Sequence, residues 1–122
     1  MSTYYPDSWK IVVIDSVKHG KVYKVLASWY GGFTQGDSWK LSSGIESMQI
    51  TEGKYSERLG RNSKIYTMPQ ASGSVYVLYE NCEHISGIMS GVFRSFADEA
   101  ENSNGAFTIQ MVEIADLPAV FP

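Results

Sequence analysis

The sequence has little of what most catalytic and metal sites are made from. Among 122 residues there are one cysteine and two histidines. The single cysteine, Cys82, can form no internal disulfide, so stability must come from a packed core, and a reducing cytoplasm suits the chain. Cys82 and His84 stand two apart, but a metal would need two more good ligands, and His19 is the only other histidine. No metal and no cofactor is therefore expected. No apolar run approaches the roughly 18 residues needed to span a bilayer. Met1 to Asp7 lacks the basic-then-apolar build of a signal peptide. A surplus of positive charge is missing too: ten basic residues face thirteen acidic ones, for a net charge of −3. Gripping a long nucleic acid by its phosphates takes a clustered positive surface. Long nucleic acid and membrane are thus excluded as expected partners. A small nucleotide, which needs only one or two cations, is not.

What is present is an ordinary globular composition, with 43% apolar and 19% charged residues, and a high aromatic content of 13%. Eight Tyr, five Phe and three Trp can bury enough area to make a small core sufficient. The length fits one domain, residues 1–122. From Trp9 to Val17 apolar residues fall on both parities, which predicts a strand covered on both sides. Lys18-His19-Gly20-Lys21 reads as a hairpin turn, and Val22 to Tyr30 as the returning strand. Ser38 to Ile45 alternates again. The parity then switches near Gly44, where a bulge or tight turn is expected. Tyr55 to Ser63 is charged and reads as an exposed loop or weak edge strand. Lys64 to Met68, Ser74 to Tyr79 and Ala106 to Ile114 complete the strands.

One segment changes period. Ile85, Ile88, Met89, Val92, Phe93, Phe96, Ala97 and Ala100 recur at helical spacing, which predicts an amphipathic helix over about 83–101. Asn81 is its expected N-cap, and Asn102 to Gly105 its stop. Gly87 and Gly91 weaken a helix, so a close backbone approach is expected beside them. The reading is an α+β domain: an antiparallel β-sheet of about six or seven strands with one helix packed on it. The tail, residues 115–122, is expected to lie along an edge or on a neighbouring subunit.

For chemistry, Cys82 and His84 as a nucleophile pair is disfavoured, since positions i and i+2 of a helix point apart. Asp98, Glu99 and Glu101 read as a solvated helix face. The densest feature runs from Trp29 through Gly31, Gly32 and Phe33 to Gly36, Ser38 and Trp39. Glycines let backbone N–H groups approach an anion, and aromatic rings offer flat surfaces for a base. Ser38 and Lys40 share one strand face and Trp39 takes the other. The plain structural alternative is a long loop anchored by core aromatics. Ser43 and Ser74 could add hydroxyls. Arg58, Arg61 and Arg94 are the cations for a phosphate, with Arg58 and Arg61 on a loop that could close on a ligand.

The stretch YKVLASWYGGFTQGDSWKLSSGI, followed by SGSVYVLY, resembles small proteins encoded in bacteriophages and prophages over roughly residues 20 to 80. In size and style the chain is similar to the anti-Thoeris and anti-CBASS sponges. That resemblance implies a cytoplasmic, non-enzymatic anti-defence protein of an infected bacterium. It would sequester a cyclic nucleotide or cyclic ADP-ribose type signal as a symmetric homo-oligomer. The alternative is an interaction protein that binds and inhibits a host protein, with Tyr4, Tyr5 and Trp9 as an aromatic anchor.

Overall fold

In the computed structural model, residues 2–117 are described, apart from the side chains of Phe33 and Thr34. Eight strands form: β1 (Thr3–Tyr4), β2 (Ser8–Ser16), β3 (Gly20–Trp29), β4 (Ser38–Leu41), β5 (Gln49–Ser56), β6 (Arg61–Pro69), β7 (Val75–Tyr79) and β8 (Phe107–Val112). A one-turn helix, α1 (Gly32–Gln35), follows β3, and the main helix α2 (Gly87–Glu101) precedes β8. The α+β reading, mostly strands with one amphipathic helix, is what the structure shows. It differs from the expected arrangement in having two four-stranded sheets in place of one. Their orders are β1-β7-β6-β5 and β4-β3-β2-β8. All neighbours are antiparallel except β1 and β7.

Period-2 alternation decides the layering. On one face of the second sheet, Trp9, Ile11, Val25 and Ala27 meet Tyr66, Met68, Tyr76 and Leu78 of the first sheet. This is the main core, and Trp9, Ile11, Met68 and Leu78 in it are fully buried. On the other face of the second sheet, Val12 and Leu26 pack under Met89 of α2. The central strand β2 is thus covered on both sides, as its doubled apolar pattern predicts. The layers are sheet, sheet, helix.

The parity switch at Gly44 combines the expected irregularity with a crossing between sheets. Ser42 N and Ile45 N still donate to Val25 O and Tyr23 O of β3, with one extra residue between them, while Ile45 also bridges Gln70 at the end of β6. Gly44 takes φ 150°, which side chains rarely adopt, and its carbonyl accepts from Ala71 N at 2.8 Å. Of the two readings for Tyr55 to Ser63, the edge strand holds for its start. The segment is a hairpin that contains the end of edge strand β5, a turn, and the start of β6, and a bulge between Glu52 and Tyr55 precedes it.

The helix begins later than expected. Asn81 is not its cap: its Oδ1 accepts from Ser56 Oγ at 2.7 Å. The cap is Ser86, whose Oγ accepts from Met89 N at 3.4 Å and bonds Ser28 Oγ at 2.7 Å. Residues 80–86 are spent crossing from the first sheet to the second, with Glu83 bridging Trp9 on the way. The close approach expected at Gly87 and Gly91 is not there, since a Cβ on either would meet nothing within 4 Å. Nothing in the structure explains Gly91. Of the tail expected at 115–122, Leu117 is buried in the main core; residues 118–122 lie outside the described residues.

Candidate functional site

The crossing at Gly44 places two small-residue loops side by side. Ser42 is tied to β3, its Oγ accepting from Val25 N at 2.8 Å and its N–H donating to Val25 O at 2.9 Å. Ser43 Oγ accepts from Ser72 N at 2.9 Å. Ser72 Oγ in turn accepts from Ser74 N at 3.4 Å. These short bonds fix both loops against the sheet edges. Beside them lies a cleft of about 340 Å³ whose lining includes Tyr4, Lys24, Lys40, Ser43, Ser72 and Ser74. Lys40 Nζ stands 5.4 Å from the centroid of the Tyr4 ring. That cation–π contact holds the ammonium group against an aromatic face while leaving its remaining donors to solvent. Tyr4 itself leans on Tyr76, with ring centroids 5.1 Å apart. Burial, with Tyr4 nearby, pushes the Tyr76 hydroxyl up to about 12, so it stays a neutral phenol near pH 7.

The Lys40 ammonium, three serines and an aromatic floor make an anion-compatible surface. Lys24, which register places on the other face of β3, stands at its border. Lysine meets phosphate as a point charge, and hydroxyls complete its oxygen shell. The volume sits at the small end of the range for ligand pockets.

The structure distributes the residues expected to form a site. Ser43 and Ser74 come together in the cleft. Trp29 and Trp39 do not converge, because they stand on opposite faces of the second sheet. Register pairs Trp29 with Ser38 and Trp39 with Ser28. Trp29 packs edge-on against Tyr4 at 6.0 Å and donates its indole N–H to Tyr5 O. Trp39 packs edge-on against Phe96 of α2 at 6.1 Å. Ser38 is exposed on β4. Gly31, Gly32 and Gly36 close the α1 turn. Gly36 N donates to Gly32 O, and a Cβ on Gly31 would fall 1.6 Å from Gly36 O. Close contact accounts for Gly31, and left-handed φ values of 71° and 67° account for Gly32 and Gly36, without an anion. The side chain of Phe33 lies outside the described residues. Arg94 is exposed on α2, away from the lining of the cleft.

Arg58 and Arg61 are not on a ligand-closing loop. Arg58 reaches Asn81 Oδ1 at 3.4 Å. Arg61 opens β6 and grips Glu80 with two parallel bonds of 2.9 and 2.7 Å. Lys64 N adds a third donor to the same carboxylate at 2.9 Å. The Arg61 fork and this amide hold the Glu80 carboxyl down to about 2, against an ordinary value of 4.5. A depressed carboxyl stabilises the fold above its unfolded value, and that stability is lost as pH falls through the folded one. Glu80→Gln is therefore expected to cost about 1–2 kcal/mol at neutral pH, discounted because Arg61 is half in solvent. Urea titrations should show this gap closing between pH 4.5 and 2. A gap constant across that window would mean that the pair contributes nothing through charge.

His84 is not in the first turn of a helix. It lies on the crossing segment, where Nε2 is 2.9 Å from Ser8 Oγ and 3.0 Å from Tyr30 Oη. Ser8 Oγ and Tyr30 Oη are themselves 3.0 Å apart, closing a triangle. Ser8 is fully buried, so this triangle anchors the crossing segment to β2 and does not present a nucleophile. Cys82 is half-buried, and burial pushes its thiol up, away from the reactive thiolate.

Sequence reasoning missed Tyr4, Lys24 and Ser72, and gave Lys40 no role of its own in a site. The signals were faint: a lysine inside each of two alternating strands, and a serine doublet on either side of the cleft. Compared with known protein families, curated proteins and solved structures, the chain matches none.

Proposed function

We propose that this chain is a binding protein that captures a small anionic, nucleotide-like molecule and holds it without chemical change. One observation carries the reading: the cleft lined by Ser43, Ser72 and Ser74 in which the Lys40 ammonium is held over the Tyr4 ring, with Lys24 at its border. Its lining offers cations, hydroxyls and aromatic surface, a composition for retaining a phosphate and a flat ring. The stitched serine loops preorganise it, which spares affinity the cost of ordering a floppy loop. Capture of a cyclic nucleotide or cyclic ADP-ribose type signal, as a phage-encoded anti-defence sponge does, is the biological role that fits. Tyr4 takes the stacking role first expected of Trp29 and Trp39.

The test is a thermal-shift screen with cyclic dinucleotides, cyclic ADP-ribose and linear mononucleotides. A ligand present at a hundredfold excess over its Kd adds about 2.7 kcal/mol, a shift of roughly 8–15 °C in a domain of this size. Lys24→Glu with Lys40→Glu should abolish the shift, since two attractions become repulsions. Mass spectrometry of the bound ligand should return it intact. Absence of any shift across the panel sinks the reading, and a cleaved product turns it into an enzyme.

The competing role, binding a host protein, loses Trp9 from its aromatic anchor because that side chain is buried in the core. It keeps Tyr5, which is 55% exposed, while Tyr4 is half-buried.

A further inference from the structure

Each sheet of this fold ends in two edge strands, and natural sheets guard such edges with brevity, charge or bulges. Three of the four follow that rule. Strand β1 is two residues long. Strand β4 has four residues and carries Lys40. Strand β5 carries Glu52 and Lys54 around its bulge. Strand β8 is the exception. Its six residues, Phe107-Thr108-Ile109-Gln110-Met111-Val112, contain no charge and no proline, and its register with β2 runs unbroken. Among the described residues no strand pairs with its outer side.

A second observation lies on the same flank. Phe107, Ile109 and Met111 point to the helix side of the sheet, opposite Ser16, Ile14 and Val12. All three remain only half-buried. The small core beneath α2 has three buried members, while Phe93, Ile109 and Met111 sit partly open at its margin. An uncharged strand edge and an unfinished apolar margin therefore coincide.

We propose that two copies of this chain pair antiparallel through β8, joining their second sheets into one eight-stranded sheet across a two-fold axis. The partner is a second copy because the strand is self-complementary in this arrangement. Residues opposed across antiparallel strands must share a face, so the axis passes through a residue, Ile109 or Gln110. With Ile109 on the axis, Phe107 faces Met111 and Thr108 faces Gln110. With Gln110 on the axis, Ile109 faces Met111. In both registers the apolar side of one β8 extends the apolar side of the other, and both small cores gain cover. The pairing is independent of what the cleft binds.

The design of the test follows from the register. Thr108 and Gln110 are exposed on the far face, so lysines there leave the protomer's core untouched. Thr108→Lys with Gln110→Lys sets like charges directly opposite one another in either register. Light scattering of the unaltered protein at about 100 µM should give twice the 13.6 kDa chain mass. The double-lysine variant should give the single mass, with its far-UV circular dichroism preserved, a melting temperature equal to that of the unaltered protein diluted to monomer, and a dimer Kd weakened at least about a hundredfold. Hydrogen exchange on the unaltered protein reads the same contact without any substitution. The β8 amides should be protected at high concentration and exchange faster on dilution. A monomer at every concentration overturns the proposal. So does a double-lysine variant that stays dimeric, or β8 exchange that ignores dilution.

Discussion

Trp9→Ala is expected to remove most of the stability of the fold. The indole is fully buried between the sheets and packs edge-on against Tyr66, with centroids 5.9 Å apart. Its Nε1 donates to Tyr79 O at 2.8 Å, a bond that runs from one sheet to the other. Truncating a buried Trp costs about 3–5 kcal/mol through lost transfer energy and the cavity left behind. The carbonyl of Tyr79 also loses a partner. Domains of this size have only about 5–15 kcal/mol in total. Urea denaturation followed by circular dichroism should therefore show the midpoint collapsing toward zero denaturant. Trp9→Phe keeps much of the ring and loses the hydrogen bond, so a smaller cost of about 2 kcal/mol is expected. A Trp9→Ala protein within about 1 kcal/mol of the parent would contradict the face-to-face packing of the sheets.

Ser86→Ala is the second large effect, and its size comes from polarity, not volume. One hydroxyl serves two needs. It caps α2 through Met89 N and bonds Ser28 Oγ, which is buried in the second sheet. Loss of an N-cap costs about 1 kcal/mol, and a stranded buried hydroxyl about 1–3 kcal/mol. Together these give about 2–4 kcal/mol, measurable as a drop in melting temperature. The double change Ser28→Ala with Ser86→Ala removes both partners and should cost less than the two single changes added together. Strict additivity would show that the two hydroxyls do not interact.

Much of the fold was legible in the sequence, for reasons that can be named. The Trp9–Val17 run, apolar on both parities, announced a strand covered on both sides, and β2 is that strand. The stripe from Ile88 to Ala100 announced α2. What could not be read was where the chain changes layers. A parity switch at Gly44 looks the same whether the strand only bulges or also crosses to another sheet, and it takes the bonds of Ile45 to both Tyr23 and Gln70 to show that it does both. Residues 80–86 carry cap-like signals at Asn81, yet tertiary bonds from Ser56 and Trp9 override them. The Trp29–Trp39 segment looked like one site because its aromatics are close in sequence. The sheet puts Trp29 and Trp39 on opposite faces, and a period of two guarantees such a split across an antiparallel turn of this register. The cleft was nearly invisible, since Tyr4, Lys24, Lys40 and Ser72 come from four separate segments.

The pairing of β2 with β8 has a consequence for the chain as it is made. Ser16 pairs with Phe107, so about ninety residues separate the partners. At ribosomal speeds of about 5–20 residues per second, β2 emerges roughly five to eighteen seconds before β8. During that interval β2 has β3 on one side and, along Ile11 to Ser16, nothing on the other. A strand with apolar residues on both faces thus waits half-paired on the nascent chain. The second sheet closes only after the C-terminal segment has left the ribosome.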